Sequence, residues 1–363
     1  MRQMRNPIAR KFMEEWLLTL TLVGLVITSL YLERFPSYSK NDFKVIFTLF
    51  VFLVIIRGLE RSGFLYSIAS KVEKGRHLSL KLIFLTALLS MFMTNDVALL
   101  TIVPLTLALN VENKGILVIL ETITANGASS LTPFGNPQNI FIYYHYHVHP
   151  WEFIRTIAPF TFASLIFVLF IAYTKAKIRG YGREIANFDK KAYHYLFFFV
   201  LFILAVLRVL PLEVGILPVI YSLLFDMRAL FIDYFLLATF LAFFGFTDNL
   251  MHILSFNLQN STQVFLYSSL ASQVISNVPS ALLFADFTSD WRALLWGVSV
   301  GGYGTLISSL ANLISYRLYR AYCNDSKSYL LRFHFYNFLA FLMGILVYFI
   351  FVMNHLSILQ ILS

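Results

Sequence analysis

Two long apolar blocks of this chain carry polar residues at their centres. Residues 82–111 are mostly apolar but carry Thr94-Asn95-Asp96 in the middle and Pro104 in the second half, and residues 264–287 are interrupted by Ser276-Asn277-Val278-Pro279. A single straight helix would hold these groups, and the backbone that Pro104 and Pro279 leave unpaired, inside hydrocarbon. Each unsatisfied group there costs several kcal/mol. A hairpin that enters and leaves the bilayer on one side, with the polar residues at its tip, avoids that cost. Each block is therefore expected to be a re-entrant hairpin.

The rest of the chain is consistent with a membrane setting. It is 58% hydrophobic and 13% charged, whereas soluble domains are about one quarter charged. Apolar stretches such as 16–32, 160–173 and 333–353 lie near the ~17–25 residues that a helix needs to cross a bilayer. The net charge of +9 does not point to nucleic acid, because the basic residues sit in short connectors between apolar segments, as cytoplasmic loops do. The single cysteine, Cys323, excludes an internal disulfide. Arg2, Arg5, Arg10 and Lys11 precede the first apolar run, and no small-residue cleavage site follows it convincingly. That pattern reads as an uncleaved first span.

With the N-terminus cytoplasmic, the connectors 60–81, 175–191 and 317–332 fall inside. Of 28 lysines and arginines, only Arg34, Lys40, Lys44, Arg155, Arg208 and Arg292 do not. The expected fold is an all-α polytopic membrane protein of about nine transmembrane helices, two re-entrant hairpins and two broken helices. Its C-terminus lies outside, and the setting is a cell membrane. Residues 1–174 form one repeat, with hairpin 82–111 and broken helix 116–146. A cytoplasmic basic linker spans 175–193. Residues 194–363 form the second repeat, with hairpin 264–287 and broken helix 291–316.

The repeat rests on order more than on identity. At a constant offset Leu88, Ser90, Asn95 and Leu100 meet Leu270, Ser272, Asn277 and Leu282. In each half the polar-centred block is followed by a span broken by glycine and small polar residues, 125–139 in the first and 301–312 in the second. Loop charges place the first hairpin inside and the second outside, so the repeats are inverted. Paired interrupted segments of this kind point to a binding site at the bilayer midplane.

The broken segments supply chemistry. Freed carbonyls coordinate cations and freed N–H groups attract anions. Asn95 and Asn277 add amides, Thr94 and Ser276 hydroxyls, and Asn126, Asn136 and Asn312 further amides within the breaks. Gly127, Gly135, Gly301, Gly302 and Gly304 allow close approach, and Pro133, Pro137 and Pro279 end helices without needing a donor. Blander roles stand beside these. Thr94 and Ser276 also fit as N-caps, and the glycines as tight helix contacts. Asp96, the one acid at a break, fits a cap, a structural carboxylate or an ion-binding group. Glu121, Asp233 and Asp248 are weaker candidates near membrane ends or on helix faces. His145, His147 and His149 alternate in an outer loop, which reads as solvated more readily than as a metal site. No histidine lies near Ser129, Ser130 or Ser276 in sequence to activate a hydrolase, so an enzyme is not expected, and no cofactor is needed beyond a coupling Na⁺ or H⁺.

At these residues the chain resembles the ion transporter superfamily, which includes divalent anion:sodium symporters, citrate permeases and arsenite permeases. The similarity lies in 93–100 with Pro104, in Ser130-Leu131-Thr132-Pro133-Phe134-Gly135-Asn136-Pro137-Gln138-Asn139, in Ser276-Asn277-Val278-Pro279, in 304–312 and in the stretch 57–63. The resemblance implies a homodimer in which a transport domain moves against a scaffold. It implies one cation site at Thr94, Asn95, Gly127 and Thr132 and another at Ser276, Asn277, Gly302 and Thr305. Asp96, Asn126, Gly304 and Asn312 are further ion-site candidates. Thr94, Asn95, Asn136, Pro137, Ser276, Asn277, Val278, Pro279 and Thr305 are the candidates for the substrate. The dicarboxylate symporters carry Ser-Asn-Thr at both tips, whereas this chain has Thr-Asn-Asp and Ser-Asn-Val, which is closer to the arsenite permeases and other anion permeases. The expected function is secondary transport of a small anion, a carboxylate or oxyanion, coupled to Na⁺ or H⁺ by elevator-like alternating access. A cation/proton antiporter or arsenite efflux permease is the alternative.

Overall fold

A computed structural model describes residues 16–72, 77–108, 113–175, 188–254, 258–323 and 326–353, and every regular element among them is helical. In chain order these are α1 (Trp16–Leu32), α2 (Lys40–Arg61), α3 (Phe64–Val72), α4 (Leu78–Phe92), α5 (Asn95–Ala108), α6 (Lys114–Ser129), α7 (Pro137–His145) and α8 (Pro150–Lys175). There follow α9 (Lys191–Val206), α10 (Ile216–Phe225), α11 (Tyr234–Ile253), α12 (Ser261–Ile275), α13 (Asn277–Ala285), α14 (Trp291–Gly301), α15 (Leu310–Tyr322) and α16 (Ser326–Tyr348).

Helix ends follow local chemistry. Ser39 and Asp42 form a reciprocal capping box at the start of α2, and Gly63, at φ 76°, turns the chain out of it. Pro104 lies within α5 without ending it. Three helices are long and apolar enough to cross a membrane, Pro150–Thr174, Met227–Ile253 and Lys327–Phe351. Shorter apolar helices include α4, α5 and α9. Large apolar side chains stand exposed along the outer faces of several helices, among them Phe162, Ile166 and Phe170 on α8 and Leu342 and Leu346 on α16. In hydrocarbon such faces carry no cost.

The helices fall into two groups. In the first, α9, α10 and α11 lie against α2, and α1 runs along α11. A side chain at Gly58 would overlap the ring of Tyr195, so the glycine sets how closely α2 approaches α9. Asn249 on α11 donates to the hydroxyls of Thr28 (3.1 Å) and Ser29 (2.8 Å) on α1. Asp248 pairs with Arg34 at 2.6 Å. In the second group α6 is central, and α4, α5, α8, α15 and α16 lie against it. Helices α12, α13 and α14 pack on one another and join α8, where the Trp296 indole donates to the Thr156 carbonyl at 2.9 Å. The groups meet where α2 touches α7 and α11 touches α13. A cavity of about 370 Å³ opens at that seam, with Asp42, His145, Asp248 and Asp286 in its lining.

Some sequence-based expectations need correction. Helix α11 runs to Ile253, and Asp248 in its last turns has Arg34 as a partner. Asp233 caps that helix by accepting from the Leu236 N–H at 3.1 Å. Glu121, one of the weaker candidates near membrane ends or on helix faces, is wholly buried. His145 is half-buried, with Asp286 at 3.7 Å, so it is not a solvated loop residue. Most of the basic linker (176–187), together with Arg2, Arg5, Arg10, Lys11, Lys74 and Arg76, lies outside the described residues.

Candidate functional site

The two polar-centred blocks each form a pair of helices packed side by side, α4 with α5 and α12 with α13. In the first, Met93 and Thr94 stand between the helices. The Thr94 hydroxyl accepts from the Val97 N–H at 3.4 Å, and the Asn95 side-chain oxygen accepts from the Asp96 N–H at 3.0 Å. Thr94 therefore does act as a cap. In the second, Ser276 alone joins the helices, and its side chain makes no cap bond. It sits at φ 78°, ψ 156°, a region costly for any residue but glycine.

The 125–139 run breaks between α6 and α7, and the 301–312 run between α14 and α15. The carbonyls freed at the first break are gathered by one side chain. The Asn139 amide reaches the carbonyls of Ser129 (3.2 Å), Ser130 (3.1 Å) and Thr132 (2.8 Å). Asn136 caps α7 by accepting from the Asn139 N–H at 3.0 Å, with Pro137 in the first turn. At the second break the Asn312 amide reaches the carbonyls of Gly302 (3.1 Å) and Thr305 (2.9 Å). Gln273 on α12 donates to the carbonyls of Gly301 and Tyr303, both at 3.0 Å. Its oxygen accepts from the Thr305 N–H at 3.1 Å, while the Thr305 hydroxyl donates to the Gln273 carbonyl at 2.9 Å. Gly304, at φ 101°, turns the chain beneath that contact.

Asn126 joins these parts. Its side-chain oxygen accepts from Asn95 at 3.0 Å and from the Ser309 hydroxyl at 2.9 Å. Its nitrogen donates to the Asn312 oxygen at 2.8 Å and reaches the Gly302 carbonyl at 3.4 Å. The second tip comes to the same place, since the Asn277 N–H donates to the Ser308 carbonyl at 2.9 Å and its side-chain nitrogen lies against Gly302. Both tips and both breaks therefore converge on one buried polar cluster without an arginine, lysine or histidine bonded into it among the described residues. Such a cluster offers neutral oxygens and N–H donors to a ligand, not a fixed charge.

Other expected site residues stand apart. The Thr132 hydroxyl donates to the Met91 carbonyl at 2.5 Å, tying the first break to the end of α4. The Gly127 carbonyl accepts from Thr161 at 3.2 Å, and its Cα packs against Ser164 and Tyr303 of neighbouring elements. Val278 and Pro279 lie in the first turn of α13, where a missing donor is harmless. Asp96 is half-buried, and its side chain makes no bond to the Asn126 cluster, which only its backbone N–H reaches, through Asn95. The Asp96 Oδ1 is buried without a hydrogen-bond partner, and it feels the Asp233 carboxylate at the start of α11. Sequence reasoning missed Gln273 as a site residue. Its signal is a long polar side chain in an apolar helix, three residues before Ser276.

Strain at Ser276 gives a first prediction. Ser276→Gly should stabilise the protein by about 1 kcal/mol, because glycine accepts this φ while losing little at a helix junction. Ser276→Val should destabilise it by more than that. Thermal unfolding in detergent measures both.

A helical membrane protein whose paired tips and broken helices meet in a buried polar cluster has the arrangement of a transport protein. Residues 11–296 match the family described as Citrate transporter, and the chain belongs to it. It is 37% identical over 292 residues to an uncharacterized transporter of Methanocaldococcus jannaschii, covering 76% of this chain and 81% of the other. It is 31% identical over 348 residues to the inner membrane protein YbiR of Escherichia coli, covering 86% and 90%. A silicon efflux transporter of Oryza sativa subsp. japonica is 29% identical over 154 residues, 40% of this chain and 32% of that one. The protein is thus a multi-pass membrane transporter of the citrate and anion permease type.

Proposed function

We propose that the chain is a secondary active transporter of a small anion, a carboxylate or oxyanion, driven by Na⁺ or H⁺. The observation that carries this reading is the Asn126 bridge, which joins the first tip to the second break through hydrogen bonds of 2.8–3.0 Å. A ligand held by both tips must move with both, as one body. In this reading α4–α8 and α12–α16 are the moving domain, and α1, α2 and α9–α11 are the scaffold. Two inverted repeats, about nine spans with two re-entrant hairpins, a cytoplasmic N-terminus and a homodimer in the cell membrane complete it. The cation binds first and orders the tips. The anion then lies between Asn95 and Asn277, held by amides, hydroxyls and helix N-termini.

The test is a thermal-shift screen with citrate, succinate, sulfate, arsenite, Na⁺ and Li⁺, followed by flux in proteoliposomes. A ligand that stabilises wild type and neither Asn95→Ala nor Asn277→Ala supports the site. Failure of every carboxylate and oxyanion to move under any Na⁺ or H⁺ gradient sinks the reading.

The alternative is an efflux permease or cation/proton antiporter on the same site. The silicon efflux relative favours it, as does a cluster with no basic side chain bonded to it among the described residues. Asp96→Asn separates the two. Under anion symport it should cut anion flux about tenfold or more, since an ion-binding carboxylate is lost. Under antiport it should abolish pH-dependent cation flux with no dependence on any anion.

A further inference from the structure

Glu121 is the one acidic side chain in α6, and the role of the Asn126 cluster does not use it. It is wholly buried. Its Oε1 accepts from the Thr106 hydroxyl of α5 at 2.5 Å, while its Oε2, also buried, has no hydrogen-bond partner. Helices α4, α5, α8, α14, α15 and α16 all lie against α6. Among their described residues, none brings a lysine, arginine, histidine or second carboxylate that acts on Glu121. The titratable groups on that side are phenols. Tyr329 of α16, also wholly buried, feels the carboxylate, and Tyr319 and Tyr316 of α15 stack on Tyr329 at 4.0 and 6.2 Å between ring centres.

A bare carboxylate in such a place is among the costliest groups a membrane protein can hold. A carboxylic acid is not, because one oxygen accepts from Thr106 and the other carries the proton. The position also matters. Glu121 precedes Asn126 by five residues, about 7.5 Å along the same helix. Tyr329 lies against Ser315, whose hydroxyl donates to the Asn312 carbonyl at 3.0 Å. Tyr329 and Ser315 thus stand between Glu121 and the residue that holds Asn126, with the Tyr329 hydroxyl and Glu121 Oε2 both buried and without a hydrogen-bond partner.

We propose that Glu121 is a proton-binding site of the transport cycle, separate from the tip residues. The proton forms an O–H bond at Oε2, which neutralises the carboxylate. Its release leaves a charge that the closed packing around α6 does not tolerate. Loading and unloading Glu121 thus bias the arrangement of α5, α6 and α16 around the Asn126 cluster. The inference rests on the transporter reading for the purpose of the proton, but not for the proton itself.

Infrared difference spectra of the reconstituted protein, titrated from about pH 5 to about pH 10, test the site. A protonated carboxyl band is expected at neutral pH. It should shift in heavy water, vanish at high pH, disappear in Glu121→Gln and persist in Asp96→Asn. Thr106→Val should move the same band to higher frequency, because the hydrogen bond to Oε1 is gone. That variant serves if Glu121→Gln does not fold. A neutral-pH spectrum without the band, a band removed by Asp96→Asn instead, or a band unchanged at every pH would each overturn the proposal. A second arm uses proteoliposomes with a trapped pH dye and citrate, succinate, sulfate or arsenite as probe. Proton movement per probe should fall at least tenfold in Glu121→Gln, and equal proton movement in variant and wild type would also overturn the proposal. If wild type moves no probe, the transporter reading fails, and the infrared titration still decides whether Glu121 binds a proton.

Discussion

Asn126→Ala should abolish transport, by at least about a hundredfold, while the helices still form. The substitution removes no bulky packing. It leaves the Asn95 nitrogen, the Ser309 hydroxyl and the Asn312 oxygen without the partner each has at 2.8–3.0 Å. Stranding a buried polar group costs about 1–3 kcal/mol. Water entering the vacated space recovers part of that cost, so the protein folds. It cannot recover the geometry, because water does not fix the first tip relative to the second break. A hundredfold loss corresponds to only about 2.7 kcal/mol, well within what three stranded groups supply. Asn126→Asp sharpens the test. One oxygen still accepts from both Asn95 and Ser309, but the other now faces the Asn312 oxygen and the Gly302 carbonyl, where a donor stood. Asn312 cannot flip to help, since its nitrogen is held by the Gly302 and Thr305 carbonyls. Protonating the introduced carboxylate restores a donor at that place. The Asn126→Asp variant should therefore recover activity as pH falls and lose it as pH rises. Flux in proteoliposomes across pH measures this. Equal activity of wild type and Asn126→Ala would show that the two halves work without the bridge.

Much of this site is legible in the sequence, for a physical reason. In a chain whose solvent is lipid, a polar residue inside an apolar run needs a partner, so Asn95 and Asn277 stand out. The breaks at 130–136 and 302–309 are legible because glycine, proline and small polar residues crowd there. The partners are not legible. Nothing local to Asn126 says that its nitrogen bonds Asn312, 186 positions away. Gln273 looks like an ordinary polar residue in α12, because its role is to hold carbonyls of a different helix. The full burial of Glu121 is not legible either. Residue 121 lies only seven positions into α6, but the helices packed around α6 enclose it from its first turns onward. Adjacency makes Asp96 look equivalent to its tip neighbours, whereas helical geometry turns the residue after Asn95 by roughly 100° toward another face.

Gly135→Ala should lower stability by about 4 kcal/mol and leave little monodisperse protein. The reason lies in what the methyl would meet. A Cβ at Gly135 would overlap the Ser129 carbonyl oxygen and lie 2.9 Å from both the Ser129 carbonyl carbon and the Thr132 hydroxyl. Side chains can rotate away from such contacts, but a carbonyl at the end of a helix cannot. The Ser129 oxygen is also one of three that the Asn139 amide gathers, and the Thr132 hydroxyl ties the break to Met91 at 2.5 Å. Moving either one undoes the capping of α6 together with the contact to α4. Gly302 makes the informative contrast. A Cβ there would stand 3.1 Å from the Asn277 nitrogen and 3.3 Å from the Ser299 carbonyl, so small adjustments suffice and Gly302→Ala should fold. Its cost should fall on the tip, as lost ligand stabilisation in the same thermal-shift measurement that shows Gly135→Ala to be unstable without any ligand. If Gly135→Ala purifies and melts like wild type, the turn at the first break is not held as described, and the Asn139 cap is not what closes it.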